Sequence, residues 1–246
     1  MTRSRGSWIS LFSGGKDSSY ALYRALERGR SVGRLLTVHP EGDSYMYHVP
    51  ATDLAELAAE SIGIEAVAVH PGELDADRAS DASAQGDREL EPLESALAAL
   101  DDDLDGGIEG LIVGAVESDF QHRRISALCD RYGWECFAPL WNRPPRELAE
   151  EMLDAGFDIR VIQVAAGGLD RSWLGRRLDR AALADLEALS DSHGVHILGE
   201  GGEFETFVVD GPHMDRAISL EYTVEWEGTR GSIAVTDATL EATPES

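Results

Sequence analysis

Six consecutive residues carry the groups best suited to chemistry in this chain: Ser13-Gly14-Gly15-Lys16-Asp17-Ser18. They follow a short apolar run, residues 8–12, which predicts a strand, and they open a helical pattern from about Asp17 to Arg28. A strand, a glycine-rich turn and a helix in that order direct backbone N–H groups and the positive end of a helix dipole at one point. The stretch therefore predicts a phosphate site to which all six residues contribute.

Lys16 is the only lysine among the 21 basic residues, and all the others are arginine. The chain thus places its one compact and flexible ammonium group in the glycine turn. The spacing differs from that of a Walker A loop, which needs G-x-x-x-x-G-K-[ST]. The S-G-G-x-D-S pattern instead resembles the pyrophosphate loop of ATP pyrophosphatases, enzymes that split ATP between its α and β phosphates.

The composition is strongly acidic: 46 acidic residues against 21 basic ones give a formal charge of −25 over 246 residues. Such a surface repels phosphates, so we expect no nucleic-acid partner. Self-repulsion of this size is best tolerated where salt screens it, which predicts a salt-adapted, halophilic protein. The first 30 residues lack a signal-peptide core and no stretch approaches 18 apolar residues, so we expect no membrane association and a cytoplasmic location.

The first half of the chain alternates strand and helix patterns. Strands are predicted at about residues 8–12, 32–39, 64–70, 108–116 and 134–140, with helices at about 17–28, 53–60, 89–100 and 119–132. This order predicts an α/β fold with a parallel five-stranded sheet covered on both faces. Ligands of such sheets bind beyond the carboxyl ends of the strands, which places the glycine turn, His39 and the segment after Val113 in one crevice. The acidic, polar residues 71–88 predict an exposed loop.

Pro144-Pro145 predicts a new start, with a helix running to about Ala155. We place the domain boundary there, giving a nucleotide-binding domain at 1–142 and a smaller α+β domain at 143–246. Apolar patterns predict a strand at 157–166 and a helix at 178–192, and alternation at 217–226 and 231–240 predicts a hairpin.

A second segment that could bind an anion begins at Gly114 and runs to Arg124. Ser118 or Asp119 can cap the helix that follows, and Arg123 or Arg124 could contact a phosphate with two hydrogen bonds. Helix capping with ordinary surface arginines is the alternative. The position at the carboxyl end of a strand favours the phosphate interpretation.

Three carboxylates lie within six residues around two glycines: Glu200, Glu203 and Glu205. Carboxylates held this close repel one another, so their clustering indicates a counter-charge, which could be a metal ion, a cationic substrate or a proton held at a raised pKa. An acidic surface turn is the alternative. Glycines at this place suggest close backbone approach and favour function.

Taken together, these motifs resemble the diphthine–ammonia ligase family. The segments 13–18, 114–121, 164–170 and 199–206 occur in the order found in that family, and residues 44–48 and 139–141 also look like it. The E-G-G-E-x-E pattern is the specific signal, since the pyrophosphate loop occurs across a wider superfamily. The acidic loop at 71–88 and the use of arginine for lysine are departures.

The resemblance implies a Rossmann-like (HUP-type) nucleotide-binding sheet and the last step of diphthamide synthesis. ATP activates the carboxylate of diphthine, a modified histidine on translation elongation factor 2, as an acyl-adenylate, and ammonia from ammonium displaces AMP. Mg²⁺ would lie nearest Asp17, which could also merely cap its helix. The ATP-binding residues implied are Ser13, Gly14, Gly15, Lys16, Asp17, Ser18, His39, Gly114, Ser118, Gln121 and Arg124. His39 stands where the family more often has a small polar residue.

The resemblance also implies catalytic roles for Lys16, Asp17 and the three glutamates. The glutamates would face ammonium or the quaternary ammonium of diphthine, with aromatic faces offered by Tyr45, Tyr47, Trp141 or Phe204. Core packing is the alternative for those aromatics. Two rival functions are a tRNA-modifying enzyme with the same loop and a nucleotide sensor without catalysis. Whether the chain forms a homo-oligomer stays open.

Overall fold

The computed structural model describes residues 6–38, 51–69 and 82–242, without the side chains of 51–53, 82–89, 120 and 121. Its first half is a parallel sheet with strand order β3-β2-β1-β4-β5. The strands are β1 (Ser7–Leu11), β2 (Val32–Val38), β3 (Ala66–Val69), β4 (Ile108–Ile112) and β5 (Glu135–Phe137). The helices are α1 (Lys16–Glu27), α2 (Ala51–Ile62), α3 (Ala82–Asp103) and α4 (Asp119–Tyr132).

The strand order reverses between β1 and β4, which lie side by side at the centre of the sheet. The loops that leave these two strands diverge and open a crevice at their carboxyl ends. Residues 13–18, which we call the phosphate loop, follow β1, and the segment from Gly114 to Arg124 follows β4. The predicted α/β sheet is therefore confirmed, and the topology brings the two predicted phosphate segments together.

The second half carries an antiparallel sheet of order β7-β6-β9-β8. Its elements are α5 (Pro145–Asp154), β6 (Asp158–Val164), α6 (Arg180–His193), β7 (Phe204–Asp210), β8 (Ile218–Glu227) and β9 (Arg230–Leu240). No strand is predicted from the sequence for residues 204–210, because the glycines and carboxylates at 199–206 favour a turn there. Residues 204–208 and 210 pair with β6, and this pairing makes the segment a strand.

Apolar side chains of both sheets belong to one hydrophobic cluster. Trp8 and Ile112 of the parallel sheet share it with Val161 and Phe207 of the antiparallel sheet. Separate domains would each have a core of their own, whereas these two halves share one. The division of the chain into domains between residues 142 and 143 therefore stays a prediction.

The predicted loop at 71–88 is wrong over its last part, since α3 begins at Ala82. Small and acidic residues favoured a loop by composition, but Ala82 and Ala84 are strong helix formers that extend α3 backwards. The remainder, 71–81, lies outside the described residues. Among the helices that the structure describes, none is long and apolar enough to cross a membrane.

Candidate active site

The phosphate loop is a tight turn between β1 and α1. The Ser18 hydroxyl donates to the carbonyl of Gly15 at 3.1 Å and accepts the N–H of Ser13 at 3.2 Å, which folds the loop over the start of the helix. Gly14 has a φ of +77°, and a Cβ there would lie 2.7 Å from the Phe207 ring. Gly15, the N-cap residue of α1, has no side chain that could cap the helix, so N–H groups of the first turn other than that of Lys16, which Thr206 accepts, are suited to an anion.

Lys16 and Asp17 form an ion pair at the start of α1. The Lys16 Nζ lies 2.7 Å from Asp17 Oδ2 and 5.8 Å from the centre of the Phe204 ring, and the lysine is only 5% exposed. Asp17 Oδ1 is buried and has no hydrogen-bond partner in the described part of the chain. A buried, unpaired carboxylate oxygen beside a phosphate loop fits a ligand of a divalent cation.

Gly114 holds the second segment against the phosphate loop. A Cβ at this position would lie 2.7 Å from the Ser18 nitrogen and 2.8 Å from the Asp17 carbonyl carbon. Only glycine allows the two backbones to approach so closely. The sequence prediction that Gly114 belongs beside the loop thus has a direct steric reason.

A cavity of about 560 Å³ opens where these segments meet. Its volume lies in the range of small-molecule sites. Polar groups that line it come from residues predicted to bind ATP, namely Ser13, Asp17, Ser18, Gly114, Ser118 and Arg124. Apolar walls from Phe12, Leu36, Val38 and Ile125 give a surface on which a flat base could lie. His39 lies outside the described residues, and Gln121 is in the first turn of α4 with its side chain outside them.

The structure separates the three glutamates. Glu200 lines the cavity, and its Oε2 accepts the backbone N–H of Glu117 at 3.4 Å. Glu200 is an exposed residue, but partial removal of its carboxyl group from water and the nearby charge of Asp17 raise the pKa of Glu200. Glu203 instead turns back on its own loop, where its carboxylate accepts the N–H groups of His196 at 3.1 Å and Gly201 at 2.9 Å.

Glu205 lies on β7 opposite Gln163. Although Glu205 is an exposed residue, the protein around its carboxyl group partly removes that group from water, which raises the pKa of Glu205. Neither Glu203 nor Glu205 is among the described residues that line the cavity. Contact of these two side chains with a substrate stays a prediction.

No group of three or more His, Cys, Asp or Glu side chains that could hold a metal occurs among the described residues. This does not conflict with Asp17 as a magnesium ligand, because Mg²⁺ is commonly held by one or two carboxylates together with substrate phosphates and water.

Two family models match the chain over most of its length. The diphthamide synthase N-terminal domain matches residues 6–136, and the diphthamide synthase C-terminal domain matches residues 144–240. A diphthine–ammonia ligase from Danio rerio is 35% identical over 230 residues, which is 87% of this chain and 86% of that protein. The chain belongs to the diphthine–ammonia ligase family.

Other members of the diphthine–ammonia ligase family show the same relation. The Homo sapiens protein is 34% identical over 86% of this chain and 82% of its own length. The Saccharomyces cerevisiae protein is 32% identical over 83% of this chain but only 33% of its own length. A solved structure described as a predicted subunit of tRNA methyltransferase from Methanocaldococcus jannaschii has a TM-score of 0.43 at 20% identity, covering 76% of this chain and 88% of that one, which is too partial to bear on function.

Two of the aromatic side chains suggested by the ligase family resemblance already have partners. Phe204 is buried in the shared core with Lys16 over its ring. Trp141 stacks on His122 with ring centres 4.0 Å apart and planes 10° from parallel. Core packing accounts for Phe204, while Tyr45 and Tyr47 lie outside the described residues.

Sequence reasoning missed His196, which contacts both halves of this ligase family member. Its Nε2 lies 3.4 Å from Glu117 Oε2, and its Nδ1 accepts the N–H groups of Leu198 at 3.1 Å and Glu200 at 3.3 Å. A single histidine before a glycine-rich turn gives no signal in one sequence, because its partners lie both within the turn and 79 positions earlier in the chain.

Proposed function

We propose that this chain catalyses the ATP-dependent amidation of diphthine on translation elongation factor 2, with ammonium as the nitrogen donor. The observation that carries the proposal is the shared cavity, which is lined by the phosphate loop on one side and by Glu200 on the other. A reaction that first activates a carboxylate with ATP and then adds nitrogen needs both sites within reach of one bound intermediate.

In this proposal the phosphate loop and the start of α1 bind the phosphates of ATP. The backbone N–H groups and the Ser13 and Ser18 hydroxyls donate to phosphate oxygens. Lys16, which pairs with Asp17 in the structure, would turn its ammonium group toward the leaving pyrophosphate when ATP binds. A magnesium ion held by Asp17 and the phosphates would neutralise the charge that develops on that leaving group.

The chemistry then proceeds in two substitutions. A carboxylate oxygen of diphthine attacks the α phosphorus, the bond to the bridging oxygen breaks, and pyrophosphate leaves with that electron pair. Ammonia then attacks the acyl carbon, and the bond to the AMP oxygen breaks to give the amide and AMP. Two protons must be removed, one from ammonium before the attack and one from the nitrogen as the amide forms.

Glu200 is the residue we assign to the ammonium side of the site. A carboxylate attracts a cation, and the raised pKa of Glu200 makes it a stronger base than an ordinary carboxylate. Glu203 and Glu205 are proposed to lie on the substrate side and to face ammonium or the quaternary ammonium of diphthine, which would require the Glu203 carboxylate to leave the backbone N–H groups of His196 and Gly201. Tyr45 and Tyr47, outside the described residues, remain the aromatic candidates for that group.

The proposed setting is a salt-rich cytoplasm, with the modified elongation factor as the protein partner and no nucleic-acid partner. The formal charge of −25 supports both points, because it repels RNA and is screened by salt.

The test is the release of AMP and pyrophosphate from ATP in the presence of ammonium. We expect release with elongation factor 2 that carries diphthine and none with the unmodified factor or with tRNA. Lys16→Ala should abolish the release and serves as the inactive control. Stimulation by tRNA would support the rival tRNA-modifying function, and no AMP with any of these substrates would support a sensor.

A further inference from the structure

Two backbone contacts select one tautomer of the neutral His196 ring. Its Nδ1 accepts two backbone N–H groups, from Leu198 at 3.1 Å and from Glu200 at 3.3 Å. A nitrogen that accepts cannot carry a proton, so the proton of the neutral ring is on Nε2. Nε2 lies 3.4 Å from Glu117 Oε2.

Glu117 completes a closed set of contacts. It lies on the loop between β4 and α4, in the nucleotide half of the molecule. Its backbone N–H donates to Glu200 Oε2, while its carboxylate lies 3.4 Å from Nε2 of the His196 ring. Glu200 is thus held at two points. Its backbone N–H donates to His196 Nδ1, and its carboxylate accepts the backbone N–H of Glu117.

We propose that His196 is a positioning residue that fixes the Glu200 carboxylate at the mouth of the nucleotide cavity. The inference rests on the proposed function, in which Glu200 receives ammonium. Because Glu117 belongs to the loop that follows β4 and Glu200 to the loop before β7, the three residues, which we call the clasp, set the distance between the ATP side and the ammonium side.

The turn has other supports that do not depend on the His196 ring. The Glu203 carboxylate accepts the backbone N–H groups of His196 and Gly201, and the Glu203 carbonyl accepts the N–H of Ala165 at 2.7 Å. Removing the His196 ring should therefore leave the fold intact and affect only the position of the Glu200 carboxylate. That separates a positioning role from a structural one.

Three substitutions divide the contacts of the ring. His196→Asn keeps an acceptor near the position of Nδ1 and loses the contact with Glu117, whereas His196→Gln keeps a donor near the position of Nε2 and loses the two backbone contacts. His196→Ala loses both. His193→Asn is the matched control, because His193 lies exposed in the last turn of α6 and contacts the adjacent Ser192.

Two activities are measured for each variant: exchange of labelled pyrophosphate into ATP with the modified factor, and amide formation against ammonium concentration. We expect His196→Ala to lower kcat/KM for ammonium by about tenfold or more while the KM for ATP stays within about twofold. His196→Asn and His196→Gln should lower kcat/KM for ammonium less than His196→Ala does, and His193→Asn should not lower it. Adding His196→Ala to Glu200→Gln should cause no further loss, because the ring acts through Glu200.

Equal losses in both activities, or full additivity with Glu200→Gln, would overturn the proposal. If the wild-type protein forms no amide at all, the proposed function fails, and ¹⁵N NMR of the histidine rings then decides the clasp. An unprotonated Nδ1 whose signal shifts in Glu117→Gln supports it. A protonated Nδ1 contradicts it whatever the reaction.

Discussion

The backbone N–H of Lys16 donates to the hydroxyl of Thr206, with 3.3 Å between nitrogen and oxygen. The contact joins the first residue of α1 to strand β7, and the Val208 N–H adds a second bond to the Gly14 carbonyl at 2.9 Å. The antiparallel sheet therefore supports the phosphate loop directly. Binding of a nucleotide at this loop would therefore also affect β7, the strand that follows the turn with Glu200 and Glu203.

Removing the Thr206 hydroxyl should weaken the phosphate loop. Thr206→Val keeps the shape and leaves the Lys16 N–H without its partner, so we expect pyrophosphate release to fall by about three- to tenfold, the value of one neutral hydrogen bond. Thr206→Ser should remain near the wild type. Thr223→Val, at an exposed position on β8, is the control. An equal fall in pyrophosphate release in that variant would show that Thr206 has no specific role at the phosphate loop.

A methyl group at Gly114 should separate the two phosphate segments. Its Cβ would lie 2.7 Å from the Ser18 nitrogen, so Gly114→Ala should destabilise the fold by about 1–3 kcal/mol and weaken ATP binding. Gly167→Ala is the matched control, since the nearest atom to its Cβ is His193 Cδ2 at 4.0 Å. Chemical denaturation and ATP titration check both. Unchanged ATP affinity in Gly114→Ala would contradict the close approach.

His213 should make the fold sensitive to acid. Its ring stacks on Phe157, and neither ring nitrogen has a hydrogen-bond partner among the described residues. Burial lowers the pKa of His213 from 6.5 to about 4. Because the unfolded chain then binds a proton that the folded chain does not, stability is full above about pH 6.5 and falls as the pH drops toward 4.

This loss should amount to about 2 kcal/mol between pH 8 and pH 5. His213→Phe should remove it, and His193→Phe, at an exposed position, should not. Denaturation curves at the two pH values measure the difference. The same pH slope in wild type and His213→Phe would show that other groups cause it.

Salt should stabilise the folded chain. A formal charge of −25 repels itself at low ionic strength, and added KCl screens the repulsion. We expect the midpoint of thermal unfolding to rise on the order of 10 °C between dilute buffer and multimolar KCl, which corresponds to about 3 kcal/mol. Equal midpoints at both concentrations would refute salt adaptation.

The order of strands, glycines and helices along the sequence was enough to predict those parts of the site that the local backbone forms. Ser13 to Ser18 identify a phosphate loop because glycine placement and element order fix its geometry, and Gly114 follows from its position after a buried strand. The contact between Lys16 and Thr206 joins residues 190 positions apart, and no local pattern carries it. Likewise Glu200 and Glu203 look equivalent in sequence, and only the folded turn directs one to the cavity and the other to its own backbone.

The central claim is that one cavity activates a carboxylate with ATP and then adds nitrogen to it. It is tested most directly by supplying ¹⁵N-ammonium with ATP and diphthine-bearing elongation factor 2, and following ¹⁵N in the factor by mass spectrometry. We predict one ¹⁵N in the modified histidine for each AMP formed, and loss of incorporation but not of pyrophosphate exchange in Glu200→Gln. AMP formed without ¹⁵N in the factor would contradict the account.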